Sequence, residues 1–428
     1  MQDPANRTSF GELLRRYRVE SNLTQMALAR RAGMTAQAIG MLERGSRRVP
    51  RRDTVGRLSR ALHLGPSQAA AFAAASMDAP AIPSAPEPSD EGAALATRTL
   101  PRDIATFTGR EDELERLLTI VTEAALPGRP FPIGAIDGMP GVGKTAFAIH
   151  AAHLLAARFP DGQLFVDLHT HSAGQRPVSP FAALGSLLVL TGVTKARLPD
   201  DLDTRAAVWR DRVAGKRMLI LLDDADGHDQ VRPLLPGAPG CLVLVTSRRR
   251  LSALQGAQPL ELGTLPPAQA AELFRRLIGA RAEAQPEAVA ELVELCGCLP
   301  LAIGLLAGRL RSHSTWTVSH LASMLRDAQD RLAEMKAENI AVATAFNMSY
   351  QDLPANLQRL FRRLSLHPGR EIDAHAAAIL DGSDLGWTRW QLDVLYNEHL
   401  IDEPEPGRYR FHDLIRDYAR ALADQDRR

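Results

Sequence analysis

The segment at residues 138–145 reads GMPGVGKT and has the pattern G-x-x-x-x-G-K-[ST] of a phosphate-binding loop. The apolar run at residues 131–136 predicts a strand before it, and the Ala- and Ile-rich stretch from Thr145 predicts a helix after it. Glycines let the backbone N–H groups of such a loop face anionic oxygens at the start of the helix. The segment therefore predicts a nucleoside triphosphate site within an α/β domain.

Two side chains of this loop have predicted roles. Lys144 is expected to reach the β- and γ-phosphates of ATP, and the Thr145 hydroxyl is expected to ligate Mg²⁺. The predicted nucleotide-binding residues of the loop are Gly138, Met139, Gly141, Val142, Gly143, Lys144, Thr145 and Ala146.

Composition limits the class and location of the protein. The chain has 428 residues, 45% of them hydrophobic, which is enough for about three or more domains with their own cores. No apolar run approaches the roughly 18 residues that span a bilayer, and the polar start lacks the apolar segment of a signal peptide. We therefore expect a cytoplasmic protein without a membrane partner.

Positive charge is concentrated at the N-terminal end. Residues 1–70 contain thirteen Arg against five Asp and Glu, a net charge of +8, whereas the whole chain has a net charge of +1. Arginines that neutralise phosphates release counterions, so this distribution is typical of a segment that binds nucleic acid. A solvated basic face is the alternative interpretation.

The same segment contains a predicted helix pair at residues 24–31 and 35–44. Gly33 lies between the helices and can take the left-handed conformation that ends the first one, and each helix begins with Thr, a good N-cap. The string LTQMALARRAGMTAQAIGMLERGSRRVP resembles the helix-turn-helix of the phage Cro and repressor family.

This resemblance implies double-stranded DNA as a partner. Gln37 is the candidate for reading a base edge, because Gln can pair bidentately with adenine. Thr35, Ala36 and Gly40 are expected beside it at the exposed start of the recognition helix. Phosphate contacts are expected from Gln25, Arg44, Arg47 and Arg48. A domain that mediates only protein contacts remains the alternative.

Apolar runs between residues 131 and 247 alternate with helical patterns, which predicts a parallel sheet covered on both faces. The run RMLILLDDA ends in Asp223, expected to hold Mg²⁺, and Asp224, expected to orient an attacking water. The run CLVLVTS precedes Arg248, which could contact the γ-phosphate and so distinguish ATP from ADP. The predicted catalytic residues are thus Lys144, Asp223, Asp224 and Arg248. By contrast, Arg249 and Arg250 could be ordinary surface charges.

Three further segments resemble motifs of the NB-ARC ATPases, also called STAND or AP-ATPases. They are FTGREDEL at residues 107–114, GCLPLAIG at 297–304 and RYRFHDLIRDYAR at 408–420. The second segment has one extra residue before its proline, and Phe411 replaces the usual Met in the third. The resemblance covers about residues 106–422.

The NB-ARC resemblance implies further site residues. Phe107, Gly109 and Arg110 belong to the adenine-side entry motif, and Pro300 is expected to pack by the adenine. His412 is expected to reach the β-phosphate of bound ADP from a winged-helix domain. One hydrogen bond of this kind contributes about 1.5–3 kcal/mol, which can bias a closed state but cannot hold it alone.

The segment at residues 164–188 and the fused helix-turn-helix resemble actinobacterial regulators in which C-terminal tetratricopeptide repeats usually receive the signal. These repeats are not visible in this chain, which ends about where they would start, so either the sequence is part of a longer protein or the signal arrives through another, unknown sensor partner. The predicted domains are a helix-turn-helix (8–75), a linker (76–100), a P-loop α/β domain (101–265), a helical domain (266–337) and a winged helix (338–425).

The sequence thus predicts a multidomain protein with an all-α helix-turn-helix, a parallel α/β P-loop sheet, an α-helical domain and a winged helix. We expect a transcription regulator that opens and self-associates when ATP replaces ADP, and whose slow ATPase activity resets it. A defence or stress effector with an N-terminal interaction module is the main alternative. A loader-type ATPase with rapid turnover is a third reading.

Overall fold

A computed structural model describes residues 10–21, 23–43, 52–75, 97–124, 131–171, 176–237, 239–328, 331–337 and 340–426. The contacts divide the chain into two compact units, residues 1–90 and residues 91–428. The two units are described separately below.

The first unit is helical. Its described helices are α1 (Phe10–Glu20), α2 (Gln25–Ala32), α3 (Ala36–Glu43), α4 (Arg52–Ala61) and α5 (Pro66–Ala75). Leu14, Leu28, Ile39 and Leu58 are fully buried and come from four different helices, so one apolar core holds the unit together.

Local sequence signals set the turn between α2 and α3. The Thr24 hydroxyl accepts a hydrogen bond from the Ala27 N–H, and the Thr35 hydroxyl accepts one from the Ala38 N–H. Gly33 has φ 62° and ψ 42°, the left-handed conformation that ends α2. The helix pair predicted from the sequence is therefore present, with both Thr caps.

The second unit begins with an α/β region. Within the described residues, a five-stranded parallel sheet has the order β2-β3-β4-β1-β5. The strands are β1 (Ile133–Asp137), β2 (Gly162–Asp167), β3 (Met218–Ala225), β4 (Leu242–Ser247) and β5 (Ala257–Glu261), and the helices are α6 (Glu111–Ala124), α7 (Lys144–Leu155), α8 (Pro180–Leu190), α9 (Leu202–Val213) and α10 (His228–Val231).

Both faces of this sheet are buried. Ile136 and Leu244 face one apolar core, whereas their neighbours Ala135 and Val245 face the other. The first of these cores continues without a break into the C-terminal half of the unit. The carboxyl ends of the parallel strands share one edge, and β4 lies between β1 and β3 at that edge. The phosphate-binding loop after β1 and the aspartates at the end of β3 therefore flank the end of β4.

Helices follow the sheet. They are α11 (Pro267–Ile278), α12 (Ala280–Glu283), α13 (Pro286–Leu295), α14 (Pro300–Ser312), α15 (Val318–Asp327) and α16 (Arg331–Glu334). A short antiparallel pair, β6 (Lys336–Ala337) and β7 (Ile340–Ala341), comes next. Phe274, Leu292, Leu306 and Leu321 are fully buried and join four of these helices in the same core.

The C-terminal segment combines helices with a small sheet. Its elements are α17 (Val342–Gln351), α18 (Ala355–Leu364), β8 (Glu371–Asp373), α19 (Ala374–Asp381), α20 (Leu385–Asn397), β9 (Asp402–Glu405), β10 (Arg408–Arg410) and α21 (Asp413–Gln425). β8, β10 and β9 form an antiparallel sheet in that order. The predicted fold class is confirmed, whereas the domain boundaries inside this unit stay predictions. Among the described residues, no helix combines the length and apolar character needed to cross a membrane.

Candidate nucleotide site

The phosphate-binding loop lies at the mouth of a cavity of about 570 Å³, a size that suits a nucleotide. Gly143 has φ 97° and stands at the N-cap of α7, so the loop enters the helix through a conformation that disfavours side chains. The predicted residues that line the cavity are Gly141, Gly143, Lys144, Thr145, Ala146, Asp223, Asp224, Arg248 and Pro300. It is also lined by Ile104, Pro140, Ile149, Asp167, His171, Thr246 and Leu301, which the sequence did not single out.

Oxygen ligands for a cation converge beside the loop. The Thr145 hydroxyl donates to Asp223 at 2.9 Å, and the Thr246 hydroxyl donates to the same carboxylate at 2.5 Å. Burial raises the pKa of Asp223, and the nearby carboxylates of Asp167 and Asp224 raise it further. A divalent cation would offset that charge, so the predicted Mg²⁺ ligands Thr145 and Asp223 fit such an ion. In the described part of the chain, no group of three or more His, Cys, Asp or Glu is arranged to hold a metal ion.

Lys144 lies inside the loop. Its ammonium donates to the Gly138 carbonyl at 2.7 Å and to the Met139 carbonyl at 3.1 Å. Burial, and secondarily the charge of Arg248, lowers the pKa of Lys144 to about 7. A phosphate group in the cavity would restore the charge of this ammonium, because an opposite charge nearby favours the ionised form.

Asp224 has an unusual backbone conformation. Its φ is 54°, in the left-handed region, and the pairing of β3 with β4 shifts register between Leu222 and Ala225. The Asp224 N–H donates to the Thr246 hydroxyl at 2.9 Å. Burial raises the pKa of this carboxyl, but two hydrogen bonds from His171 outweigh it and lower the pKa overall. The register shift therefore presents an ionised Asp224 to the cavity.

Arg248 connects the cavity to helix α17. Its guanidinium lines the cavity and donates to the Ala345 carbonyl at 2.8 Å and to the Ser349 hydroxyl at 3.1 Å. Burial lowers the pKa of Arg248, and Asp224 and Asp352 oppose that effect. One side chain thus contacts both the nucleotide cavity and the C-terminal segment.

Arg249 and Arg250 are not ordinary surface charges, contrary to the expectation from sequence. Arg249 forms ion pairs with Glu398 at 2.8 Å and with Asp226 at 3.0 Å. The Arg250 N–H donates to the Asn397 carbonyl at 3.0 Å, and its guanidinium lies 3.7 Å from the centre of the Tyr396 ring. These partners are distant in sequence, so the sequence alone could not identify them.

The end of α20 also contacts the strand that precedes the loop. The ring of His399 lies 3.2 Å from Asp137 and 3.5 Å from Glu261, and its side chain is 3% exposed. Burial lowers the pKa of His399, although Asp137 opposes this shift. The start of the phosphate-binding loop is therefore covered by the C-terminal segment.

The entry motif around Phe107 supports the loop from outside the cavity. Phe107 stacks on His150 with ring centres 4.0 Å apart, while Ile104 lines the cavity. Arg110 is buried, and its guanidinium donates to the Val142 carbonyl at 3.3 Å and the Gly263 carbonyl at 2.6 Å. The structure does not bring Phe107, Gly109 or Arg110 to the cavity wall, and the side chains of Phe107 and Arg110 pack against protein groups instead.

Two other motifs meet around α14. The Leu301 N–H donates to the Gly141 carbonyl at 3.1 Å, which joins the first turn of α14 to the loop. His412 lies against Gly297, with its Nε2 3.0 Å from the Gly297 carbonyl, while its Nδ1 accepts from the Leu414 N–H. Nδ1 is therefore the acceptor and Nε2–H the donor. His412 lines a separate cavity of about 280 Å³, as does Met139, and not the cavity that holds Lys144.

The predicted DNA-binding residues have different environments. Gln25 donates to the Glu43 carboxylate at 2.7 Å, and Thr35 is exposed at the cap of α3. The expectation that Gly40 lies on the exposed start of the helix is wrong, because the second half of α3 packs against α1 and Gly40 is buried. The side chains of Ala36 and Gln37, and all of Arg44, Arg47 and Arg48, lie outside the described residues.

Comparisons with known proteins agree with this organisation. Residues 9–72 match the model of a helix-turn-helix domain. The chain is 43% identical over 343 residues to the regulatory protein AfsR of Streptomyces griseus, an alignment that covers 80% of this chain and 35% of that protein. It is 26% identical over 351 residues to the putative disease resistance protein RGA4 of Solanum bulbocastanum, covering 73% of this chain and 34% of that protein.

Two solved structures are also similar. A signal transduction ATPase with numerous domains and a tetratricopeptide repeat sensor, from Pyrococcus horikoshii, has a TM-score of 0.36 and 20% identity, covering 76% of this chain and 44% of that chain. The ORC2 protein of Aeropyrum pernix has a TM-score of 0.47 and 14% identity, covering 77% of this chain and 96% of that chain.

Fold and site define a protein with a helix-turn-helix domain and a P-loop ATPase fold. The likeness to the regulatory protein AfsR and to plant disease resistance proteins confirms the predicted resemblance to NB-ARC, or STAND, ATPases with an N-terminal helix-turn-helix. The chain spans about a third of the length of the curated relatives that it matches.

Proposed function

We propose that this protein is a DNA-binding transcription regulator whose opening and self-association are controlled by exchange of ADP for ATP. The observation that carries the proposal is the position of Arg248. Its guanidinium lines the nucleotide cavity and also donates to Ala345 and Ser349 of α17. A change at the phosphates can therefore alter how the C-terminal segment is held.

The residues of the cavity have separate roles in nucleotide binding and hydrolysis. Lys144 and the loop N–H groups bind phosphates, and Thr145 and Asp223 hold Mg²⁺, which neutralises phosphate charge. Asp224 orients the attacking water. Pro300 and Ile104 provide apolar surface at the cavity, which suits a base.

Arg248 exchanges partners in the proposed switch. With ADP its guanidinium stays on Ala345 and Ser349, and with ATP the γ-phosphate competes for it. Hydrogen bonds to a charged group contribute about 1.5–3 kcal/mol each, which shifts a two-state equilibrium by roughly 10- to 150-fold. The ion pairs of Arg249 and the packing of Arg250 on Tyr396 supply the remaining resistance to opening.

His412 contributes through the loop before α14. Its bond to the Gly297 carbonyl fixes the turn that leads to Pro300 and Leu301, and Leu301 is bonded to the phosphate-binding loop. Release of His412 would therefore loosen one wall of the cavity. This indirect route replaces the direct phosphate contact expected from the family resemblance.

The output is DNA binding by the N-terminal unit. Association of open chains brings several helix-turn-helix domains together and raises their effective concentration at repeated operator sites. The arginines of residues 1–70 neutralise phosphates, and Gln37 is the proposed base-reading residue. Slow hydrolysis then returns the protein to the ADP state.

The test compares two nucleotide states of one preparation. Mass measurement and titration of a DNA library should show larger assemblies and at least tenfold tighter DNA binding with a non-hydrolysable ATP analogue and Mg²⁺ than with ADP. Lys144→Ala, which removes the phosphate-binding charge, should abolish the difference. The proposal fails if the oligomer and the DNA affinity are the same in both states.

A second candidate is a defence or stress effector in which the N-terminal unit is a protein-interaction module. The 26% identity to a putative plant disease resistance protein favours it. DNA binding through phosphates weakens steeply with salt, whereas a protein module should show a flat salt dependence towards duplex DNA.

A further inference from the structure

His171 is a buried residue of the cavity wall that the sequence analysis did not single out. It follows β2, whose end is adjacent to the end of β3 in the sheet, with Asp167 opposite Asp223. The His171 side chain is only 2% exposed. Its position at the shared edge of the sheet brings it into contact with the predicted catalytic carboxylate of Asp224.

One side of His171 binds both oxygens of Asp224. The ring Nδ1 lies 2.9 Å from Oδ1, and the backbone N–H of His171 donates to Oδ2 at 2.6 Å. The Thr170 N–H also donates to the Asp224 carbonyl at 3.3 Å. Asp224 has a left-handed backbone conformation. The two contacts from His171 to its carboxylate oxygens fix the direction of the carboxylate.

The other side of His171 faces the C-terminal segment. Its Nε2 lies 3.5 Å from the Asp352 carboxylate, which directly follows α17. The charge of Asp352 also acts on Arg248, whose guanidinium is bonded to α17. The ring is therefore held between a carboxylate of the sheet and a carboxylate of the segment proposed to move.

We propose that His171 is a positioning residue that holds Asp224 in its hydrolytic orientation while Asp352 is docked, so that hydrolysis depends on closure of the C-terminal segment. The inference rests on the proposed function in one respect, the role of Asp224 in orienting water. The water oxygen bonds to the γ-phosphorus as the bond from that phosphorus to the β–γ bridging oxygen breaks. ADP leaves with the bridging oxygen and its electron pair, and both protons of the water leave with the released phosphate.

Removal of Asp352 has a defined consequence. The imidazole ring keeps its contact to Asp224 but loses the second anchor that fixes its rotation. A small misplacement of a catalytic group can cost about 100-fold in rate. Loss of the Asp352 contact alone would thus slow hydrolysis and leave the nucleotide-binding residues in place, so that the ATP state would persist.

The test separates turnover from binding in the full chain. Steady-state hydrolysis gives kcat and KM, and a fluorescent ADP analogue with Mg²⁺ gives Kd. His171→Ala and Asp352→Asn are expected to lower kcat at least tenfold and to change Kd less than about twofold. His171→Gln, which keeps an N–H donor for Asp224, should recover part of kcat, and Asp352→Glu should recover most of it. Asp327→Asn removes an exposed charge at the end of α15 and serves as the matched control.

The double variant gives the sharper outcome. If the two residues act as one unit, His171→Ala with Asp352→Asn should be no slower than His171→Ala alone. The inference is overturned if the kcat losses of the two single variants multiply in the double variant, or if kcat is unchanged in the single variants. It is also overturned if ADP affinity falls in parallel with kcat, or if the wild-type chain does not hydrolyse ATP. If DNA affinity is the same with both nucleotides while this coupling is present, the proposed function fails and the positioning role stands.

Discussion

Arg248 and Ser349 are 101 positions apart in the chain, and the guanidinium of the first donates to the hydroxyl of the second at 3.1 Å. The same guanidinium lines the cavity beside Lys144 and Asp224. This pair joins the end of β4 to α17, none of whose described residues lines the cavity. It is a direct connection between the nucleotide site and the C-terminal segment, as is the contact of His171 with Asp352.

Replacement of Arg248 should therefore release α17. In Arg248→Gln the bond to the Ala345 carbonyl and the charge are lost, so amide exchange in residues 342–351 of the ADP form should accelerate at least tenfold. Ser349→Ala removes only one of the two contacts and should have a smaller effect. Amide hydrogen exchange followed by mass spectrometry measures the effect of both variants. Equal protection of residues 342–351 in wild type and in Arg248→Gln would contradict this connection.

Nucleotide binding should take up a proton. The pKa of Lys144 is lowered to about 7, and bound phosphates should raise it again. At pH 8 the free site is mostly neutral and the occupied site is charged, so calorimetry in buffers of different ionisation enthalpy should show uptake approaching one proton. Little uptake is expected at pH 6, where Lys144 is charged in both states. Lys144→Arg should remove the effect, and equal heats in all buffers at pH 8 would disprove it.

The same shift predicts the sign of a stability change. Between pH 7 and the ordinary pKa of 10.5, an unfolded chain keeps the Lys144 proton that the free folded site has lost. More protons bound in the unfolded state means that the contribution of this group to stability rises with pH across that window. Saturating ADP should cancel the rise, which thermal unfolding in a pH series can measure.

Gly297 should not accept a side chain. Its φ is 58°, and a Cβ placed there would lie 2.7 Å from Nε2 of His412. Gly297→Ala should displace His412 and weaken ADP retention at least fivefold, as measured by the dissociation rate of a fluorescent ADP. Gly304→Ala is the control, because a Cβ at Gly304 meets no atom within 4 Å. Equal rates in the two variants would argue against the role of His412 in holding the loop before α14.

In the N-terminal unit, Glu43 should be sensitive to substitution and to acid. It is 4% exposed and pairs with Arg18 at 2.5 Å. Glu43→Ala leaves the half-buried Arg18 without its counter-charge and without two charge-assisted hydrogen bonds, which should cost about 3 kcal/mol and speed amide exchange in α1–α3 by roughly 150-fold. Glu20→Ala removes an exposed pair with Arg16 and should cost less than about 1 kcal/mol.

Acidification should destabilise α1–α3 in the same way as the Glu43→Ala substitution. Burial raises the pKa of Glu43, but Arg18, Gln25 and Arg15 together lower it below the ordinary 4.5. The stabilising contribution is therefore complete above pH 4.5 and is lost as the pH falls through the lowered value. If the protection of α1–α3, expressed relative to the intrinsic exchange rate at each pH, does not fall on acidification in wild type, this assignment is contradicted.

Local patterns in the sequence predicted the parts of the fold that depend on neighbouring residues. The Thr24 and Thr35 caps, the left-handed Gly33 and the phosphate-binding loop need only a few adjacent positions to be recognised. Asp223 and Arg248 could be placed because the ends of parallel strands meet at one edge.

Other features depended on packing between distant segments. Gly40 was predicted to be exposed, but its burial is decided by how α3 lies against α1. Arg110 was assigned to the nucleotide, yet it reaches carbonyls 32 and 153 positions away. His171 has a recognisable signal, a histidine after a strand that ends beside Asp223, but Asp352 has none, because its role depends on where α17 docks.

The end of β4 carries three consecutive arginines that contact three different places, α17, Glu398 and Tyr396. Adjacent residues of one short segment cannot exchange these partners one at a time. Insertion or deletion of a single residue at this point would shift each guanidinium to the position of its neighbour. Nucleotide binding would then no longer be coupled to the position of the C-terminal segment. The length of this short stretch is therefore as much a determinant of the switch as its charge.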